Sequence, residues 1–132
     1  MRVRPPTREE RQLAFLWGVV TVSTVVLRPF WLAVAPLLPA CPFRAITGIP
    51  CPTCGGTHAA IALMHGRVGA ALAANPLAAL VGVAFIAGGL AAPLWAALGW
   101  PVPEVPAPLP RWLRAAIVAT IVANWAWLIA WR

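Results

Sequence analysis

Apolar residues occur along this chain in three long runs, separated by polar or proline-rich segments. The first run, residues 13–27, follows a polar leader of residues 1–12 and would extend only about 22 Å as a helix. The hydrocarbon core of a bilayer is about 30 Å thick, so a spanning helix has to continue through Pro29. We therefore predict a first transmembrane helix over residues 13–38.

Two further runs predict transmembrane helices over residues 75–98 and 111–132. Asn75 is a favourable residue to cap the second helix, and Pro76 suits its first turn. Between these helices, residues 99–110 are rich in proline, which predicts an extended connector. Residues 39–74, before the second helix, hold the cysteines and a shorter helical pattern.

Small and aromatic residues refine this picture of the helices. Small residues allow close helix contact in a membrane, and they occur at Gly82, Gly88 and Gly89 and at Ala115, Ala119 and Ala123. Tryptophans favour membrane interfaces, and the third helix carries Trp112, Trp125, Trp127 and Trp131. The predicted fold class is all-α: a polytopic integral membrane protein with about three transmembrane helices and a short helix after a Cys-Pro-x-Cys-Gly loop.

Composition and charge support a membrane protein. Hydrophobic residues make up 61% of a chain of 132 residues, more than a soluble fold of this size can bury. The net charge of +7 comes from arginines at the ends of apolar runs, with no basic stripe, so we expect no nucleic-acid partner. We therefore expect the protein to lie in a lipid bilayer, namely the inner (cytoplasmic) membrane of a bacterium.

Arginine distribution also predicts the topology, because cytoplasmic loops are enriched in basic residues. A cytoplasmic N-terminus places six arginines inside, namely Arg2, Arg4, Arg8, Arg11, Arg111 and Arg114. The same orientation places three outside, namely Arg44, Arg67 and Arg132. The cysteine loop is then extracytoplasmic, where thiols meet an oxidising compartment.

Acidic residues are scarce. The chain has Glu9, Glu10 and Glu104 and no aspartate, so catalysis by paired carboxylates and carboxylate-rich metal sites lack their residues. These absences weigh against an enzyme without deciding the question.

All three cysteines lie between positions 41 and 54. Cys51 and Cys54 form Cys-Pro-x-Cys, and the following glycines predict a tight turn before Thr57 caps a short helix. Together with Cys41 and His58 they form a Cys3His set of the kind that binds Zn, in which His65 is a substitute ligand. Metal coordination by this loop is the most specific functional hypothesis.

Two other interpretations of the cysteines stay open. Cys51 and Cys54 also suit a thiol-disulfide redox couple, with Cys41 as a resolving or spare thiol. Alternatively, the cysteines only shape a structural loop in a non-catalytic scaffold. Such a scaffold would bind another membrane protein, or a second copy of itself, through its small-residue helix faces.

The ordered motif positions from Cys41 to about residue 80 resemble an uncharacterised family of small bacterial membrane proteins. Its pattern is Cys-Pro, Thr-Gly, Cys-Pro-x-Cys-Gly-x-Thr-Arg and Asn-Pro-Leu; here it falls on Cys41, Pro42, Thr47, Gly48, Cys51, Pro52, Cys54, Gly55, Thr57, Gly66, Asn75 and Pro76. The resemblance implies membrane residence and a cysteine loop between apolar helices, with no established substrate. His58 replaces the arginine of the family pattern, which weakens the Cys3His hypothesis; both side chains can donate hydrogen bonds beside a thiolate.

Overall fold

A computed structural model describes residues 3–39, 41–103 and 108–130 of the chain. Arg2, Glu104, Trp131 and Arg132, which enter the expectations above, lie outside these residues. The described helices are α1 (Arg8–Val26), α2 (Arg28–Val34), a 3-10 turn (Ala35–Leu37), α3 (Pro42–Thr47), α4 (Gly56–Met64), α5 (Val68–Ala74), α6 (Pro76–Ala97) and α7 (Arg111–Ala130). A two-residue antiparallel pair joins β1 (Val3–Arg4) to β2 (Val102–Pro103).

The helical membrane class is confirmed. Three segments of the described chain are long and apolar enough to cross a bilayer: Arg28–Thr47, Pro76–Ala97 and Arg111–Ala130. The second and third agree closely with the predicted helices over 75–98 and 111–132. A short helix, α4, also follows the Cys-Pro-x-Cys-Gly loop as expected.

The predicted first span, residues 13–38, is not one uninterrupted helix. Helix α1 ends at Val26, and α2 begins at Arg28 and runs into the 3-10 turn. Pro29 explains the interruption, because it has no N–H to donate to the Val25 carbonyl and its ring crowds that carbonyl. The first candidate span accordingly lies further along the chain, at Arg28–Thr47.

Helix α1 begins inside the segment that the sequence assigned to a polar leader. Thr7 and Glu10 form a capping box, in which the Thr7 hydroxyl accepts from the Glu10 N–H and the Glu10 carboxylate accepts from the Thr7 N–H. Arg4 also pairs with Glu10 at 2.7 Å. This hydrogen bond from Arg4 is the main reason that the pKa of Glu10 falls to about 2.

Two compact units make up the chain. The first comprises residues 1–27 and 84–110, and its helices make a close approach at the predicted glycines. A Cβ added at Gly88 would meet the ring of Trp17, and one added at Gly89 would meet Thr21. Thr21 is fully buried at this contact. The glycines thus serve helix packing, as the sequence predicted.

Replacing Gly89 with alanine should destabilise the protein, whereas the same change at Gly69 should not. A Cβ at Gly89 would overlap Thr21, and overpacking of this kind costs about 1–3 kcal/mol. A Cβ at Gly69, within α5, has nothing within 4 Å and gains up to about 1 kcal/mol in helix propensity. Thermal unfolding in detergent should show opposite shifts in Tm; equal shifts would contradict the close packing at Gly89.

The second unit comprises residues 28–83 and 111–132 and contains all three cysteines. Its core is made of small side chains, because α4 and α5 pack closely through the buried residues Ala59, Ala62 and Ala71. Ala79 of α6 joins this cluster. A core of methyl groups brings the helix backbones close together and fixes the ends of the loops that connect them.

Helix α7 packs within this second unit by a face that the sequence did not indicate. Its buried residues are Asn124 and Leu128, one helical turn apart. The predicted contact stripe, Ala115, Ala119 and Ala123, is exposed instead. Asn124 is one of the few polar side chains in this span, and its burial follows from the hydrogen bonds described below.

Candidate metal centre

Two tight turns of the chain bring the three cysteines close together. Cys41 immediately precedes α3, which ends at Gly48 in the left-handed conformation (φ 73°), so that the chain turns back toward Cys51. A second turn is closed by a hydrogen bond from the Cys54 N–H to the Cys51 carbonyl at 2.9 Å. Gly55 is also left-handed (φ 80°) and lets the chain enter α4 at once.

The predicted cap of α4 is wrong. Gly55, and not Thr57, occupies the N-cap position, and no side chain caps the helix. The Gly56 N–H already donates to the Thr53 carbonyl at 2.9 Å, so helical bonding begins directly after the turn. Thr57 is therefore inside the first turn of α4.

The sulfur atoms form a compact cluster. The Cys51 sulfur lies 3.4 Å from the Cys41 sulfur and 3.4 Å from the Cys54 sulfur, and all three lie within 4.8 Å of one another. The cysteines are free thiols, since a disulfide would need about 2.05 Å. Tetrahedral Zn with bonds of about 2.3 Å separates sulfur ligands by about 3.8 Å. The cluster is thus close to the spacing that a metal ion requires.

The two cysteines of the turn have different electrostatic environments. A hydrogen bond between its sulfur and the Thr53 hydroxyl, at 3.2 Å, is the main cause that lowers the pKa of Cys51 to about 7. Burial raises the pKa of Cys54, although the Cys51 N–H donates to its sulfur at 3.2 Å. Cys51 is therefore the readily ionised thiol, and Cys54 is the protected one.

Asn75 connects the cysteine turn to α6. Its side-chain oxygen accepts from the Ala78 N–H at 3.0 Å, which confirms its predicted role as the N-cap. Its amide nitrogen donates to the Cys54 carbonyl at 3.1 Å and lies 3.4 Å from the Pro52 carbonyl oxygen. Because Asn75 is only 1% exposed, one buried side chain fixes both the helix start and the cysteine turn.

Helix α7 holds the same turn from another side. The Asn124 side chain accepts from the Leu77 N–H at 3.0 Å and donates to the Pro52 carbonyl at 3.3 Å. The Trp125 indole donates to the Pro50 carbonyl at 2.7 Å. Alternate carbonyls of the turn are thus each held by a side chain. The sequence placed Trp125 at a membrane interface and did not indicate Asn124, although a lone asparagine in an apolar span is a signal for a functional or structural role.

The two histidines differ in their relation to the cluster. His58 is exposed and lines the same cavity of about 620 Å³ as the three cysteines. It lies outside the group of close potential ligand atoms, so its role as a fourth ligand stays a prediction. The His65 ring nitrogen instead lies 2.9 Å from the Ile61 carbonyl oxygen of its own helix. That contact provides a partner for a carbonyl at the C-terminal end of α4. Like His58, His65 lies outside the group of close potential ligand atoms.

The segment that contains the cysteines also matches a known protein family. Residues 41–89 match the model of a family described as a protein of unknown function (DUF2752). The cysteine segment is similar to this family. The resemblance to an uncharacterised family is thereby confirmed, and the matched region runs from Cys41 into α6. No curated protein and no solved structure matches the chain.

Proposed function

We propose that this integral membrane protein holds a zinc ion with Cys41, Cys51 and Cys54. The observation that carries the proposal is the approach of three free sulfur atoms within 4.8 Å of one another. Thiolates are soft ligands that select Zn over Mg or Ca, and no carboxylate belongs to the cluster within the described residues. The Cys-Pro-x-Cys turn supplies the paired ligands that zinc sites commonly use.

His58 is the proposed fourth ligand. It lies four residues after Cys54, in the first turn of α4, and lines the cavity that contains the sulfurs. Closure by His58 would make a Cys3His structural site, whereas a water in this position would leave an open site of the catalytic type. The hydrogen bonds from Asn75 and Asn124 to the turn support a rigid site.

We further propose that the site lies at the extracytoplasmic surface of a bacterial cytoplasmic membrane, with the N-terminus in the cytoplasm. The arginine distribution along the chain supports this orientation. Scaffolding is an additional proposed role, because the small-residue stripe of α7 is exposed. A second copy or another membrane protein would cover it, and sedimentation in detergent would detect self-association.

Metal analysis of the purified protein tests the zinc proposal. Full-length protein, prepared in detergent under reducing conditions, should contain about one zinc per chain. Cys51→Ser should lose most of it, because two sulfurs hold zinc far less tightly than three. Thr57→Val changes the same cavity without removing a ligand and should keep the metal. Metal-free protein from zinc-supplied cells would contradict the proposal.

A second candidate function is thiol-disulfide exchange. It is favoured by the 3.4 Å separation of the Cys51 and Cys54 sulfurs, and by the lowered pKa of Cys51 beside a buried Cys54. The Cys51 thiolate would attack a disulfide of a substrate protein and form a mixed disulfide. Cys54, after losing its proton, would then attack Cys51, releasing the substrate as a dithiol and leaving the Cys51–Cys54 disulfide.

Titration against defined glutathione potentials distinguishes the two functions. A redox couple should show a reversible two-thiol transition by maleimide gel shift within the physiological range. A zinc site should show no such transition until the metal is removed.

A further inference from the structure

An apolar cavity adjoins the cavity of the cysteine cluster. It has a volume of about 350 Å³ and lies between α2 and α4, where its far end is formed by Trp31, Ala60 and Met64. Both cavities are lined by Ala35, Leu38, Thr57 and Ile61. Because they share these walls, the two cavities adjoin, and we call them together the slot: one end is apolar and the other is polar.

The polar end of the slot is suited to an anion. Arg44 and His58 line it, together with Thr53 and the cysteines. In the described residues, the Arg44 guanidinium has neither an ion-pair partner nor a hydrogen-bond partner. No carboxylate lines either cavity there. An anionic group in this end would meet a cation and hydrogen-bond donors, with no carboxylate beside it.

We propose that this slot binds one anionic membrane lipid, with an acyl chain in the apolar end and its phosphate beside Arg44. The apolar end favours a lipid over a soluble anion, because a free phosphate would leave Trp31 and Met64 uncovered. The absence of a lining carboxylate favours an anionic headgroup over a zwitterionic one, whose cation would have no carboxylate partner. The bilayer supplies this ligand at high local concentration.

Lipid binding does not depend on a metal in the cluster. The acyl chain would contact Trp31 and Met64, and the phosphate would contact Arg44, none of which is a proposed zinc ligand. The headgroup would nevertheless lie over the cavity that contains the cysteine sulfurs. A bound lipid would therefore restrict access to these sulfurs from solvent.

Native mass spectrometry from nanodiscs containing equal amounts of phosphatidylglycerol and phosphatidylcholine tests the proposal. The full-length protein should retain one phosphatidylglycerol. Ala60→Trp fills the apolar end and should abolish retention, whereas Ala116→Trp, on an exposed face of α7, should not. Zinc content and helical circular dichroism should be unchanged in both, which separates this outcome from failure of the zinc proposal.

A second pair of variants tests the headgroup site. Arg44→Gln should reduce the preference for phosphatidylglycerol about five-fold, the effect of one arginine near an anionic lipid. Arg67→Gln removes the same charge from an exposed position outside the slot and should leave the preference unchanged. Retention of both lipids equally, retention of neither, or equal effects of Ala60→Trp and Ala116→Trp would overturn the proposal.

Discussion

Replacing Asn75 with alanine should lower the free energy of unfolding by about 3 kcal/mol. The change removes the N-cap of α6, worth about 1 kcal/mol, and leaves the Cys54 carbonyl without its side-chain donor, worth a further 1–3 kcal/mol. Both losses occur at a side chain that is almost completely buried. Thermal unfolding in detergent should show Tm lower by roughly 10 °C.

Asn75→Ser separates the two contributions. Serine can still cap the helix, but it is too short to reach the Cys54 carbonyl. The Tm of this variant should therefore lie between that of the natural protein and that of Asn75→Ala. Thr24→Ala, at an exposed hydroxyl that bonds only its own helix, is the matched control and should change Tm little. A serine variant as stable as the natural protein would show that Asn75 acts only as a helix cap.

Removing the metal should destabilise the protein more than Asn75→Ala does. A ligand present at about 1,000 times its Kd contributes about 4 kcal/mol to the folded state, and that contribution is lost on chelation. We expect a large fall in Tm with chelator, together with the appearance of three maleimide-reactive thiols. Cys54→Ser should already have the lower Tm and should respond little to chelator.

Acid should have the same effect as chelator. Bound metal requires the thiolate form, so it holds the pKa of the coordinating thiols below their metal-free values, including the raised pKa of Cys54. Groups with a depressed pKa stabilise the bound state at higher pH, and this stability is lost as protons displace the metal at lower pH. Zinc retention should therefore fall as the pH is lowered below neutral. Retention independent of pH would contradict thiolate coordination.

Local rules predicted the elements whose signals lie close together in sequence. The helices α6 and α7 follow from long, mostly apolar runs, and the cap at Asn75 follows from the proline after it. The predicted helix over residues 13–38 was wrong because Pro29 interrupts the backbone hydrogen bonds. These residues are mostly apolar, but they do not form one helix.

Contacts between residues that lie far apart in the chain could not be predicted from the sequence. Proximity of Cys41 to the Cys-Pro-x-Cys turn was a hypothesis that only the path of α3 and its glycine terminus could decide. The contacts from Asn124 and Trp125 to the turn bridge more than 70 residues. No spacing rule reports such contacts, so the residues that position the site were largely missed.

X-ray absorption at the zinc edge of the purified protein tests the central claim most directly, because it counts the ligands around the metal. The account predicts three sulfur neighbours at about 2.3 Å and one lighter nitrogen or oxygen neighbour at about 2.0 Å. Two results would contradict it. One is a zinc ion with only nitrogen and oxygen neighbours; the other is protein from zinc-supplied cells that contains no metal and has three free thiols.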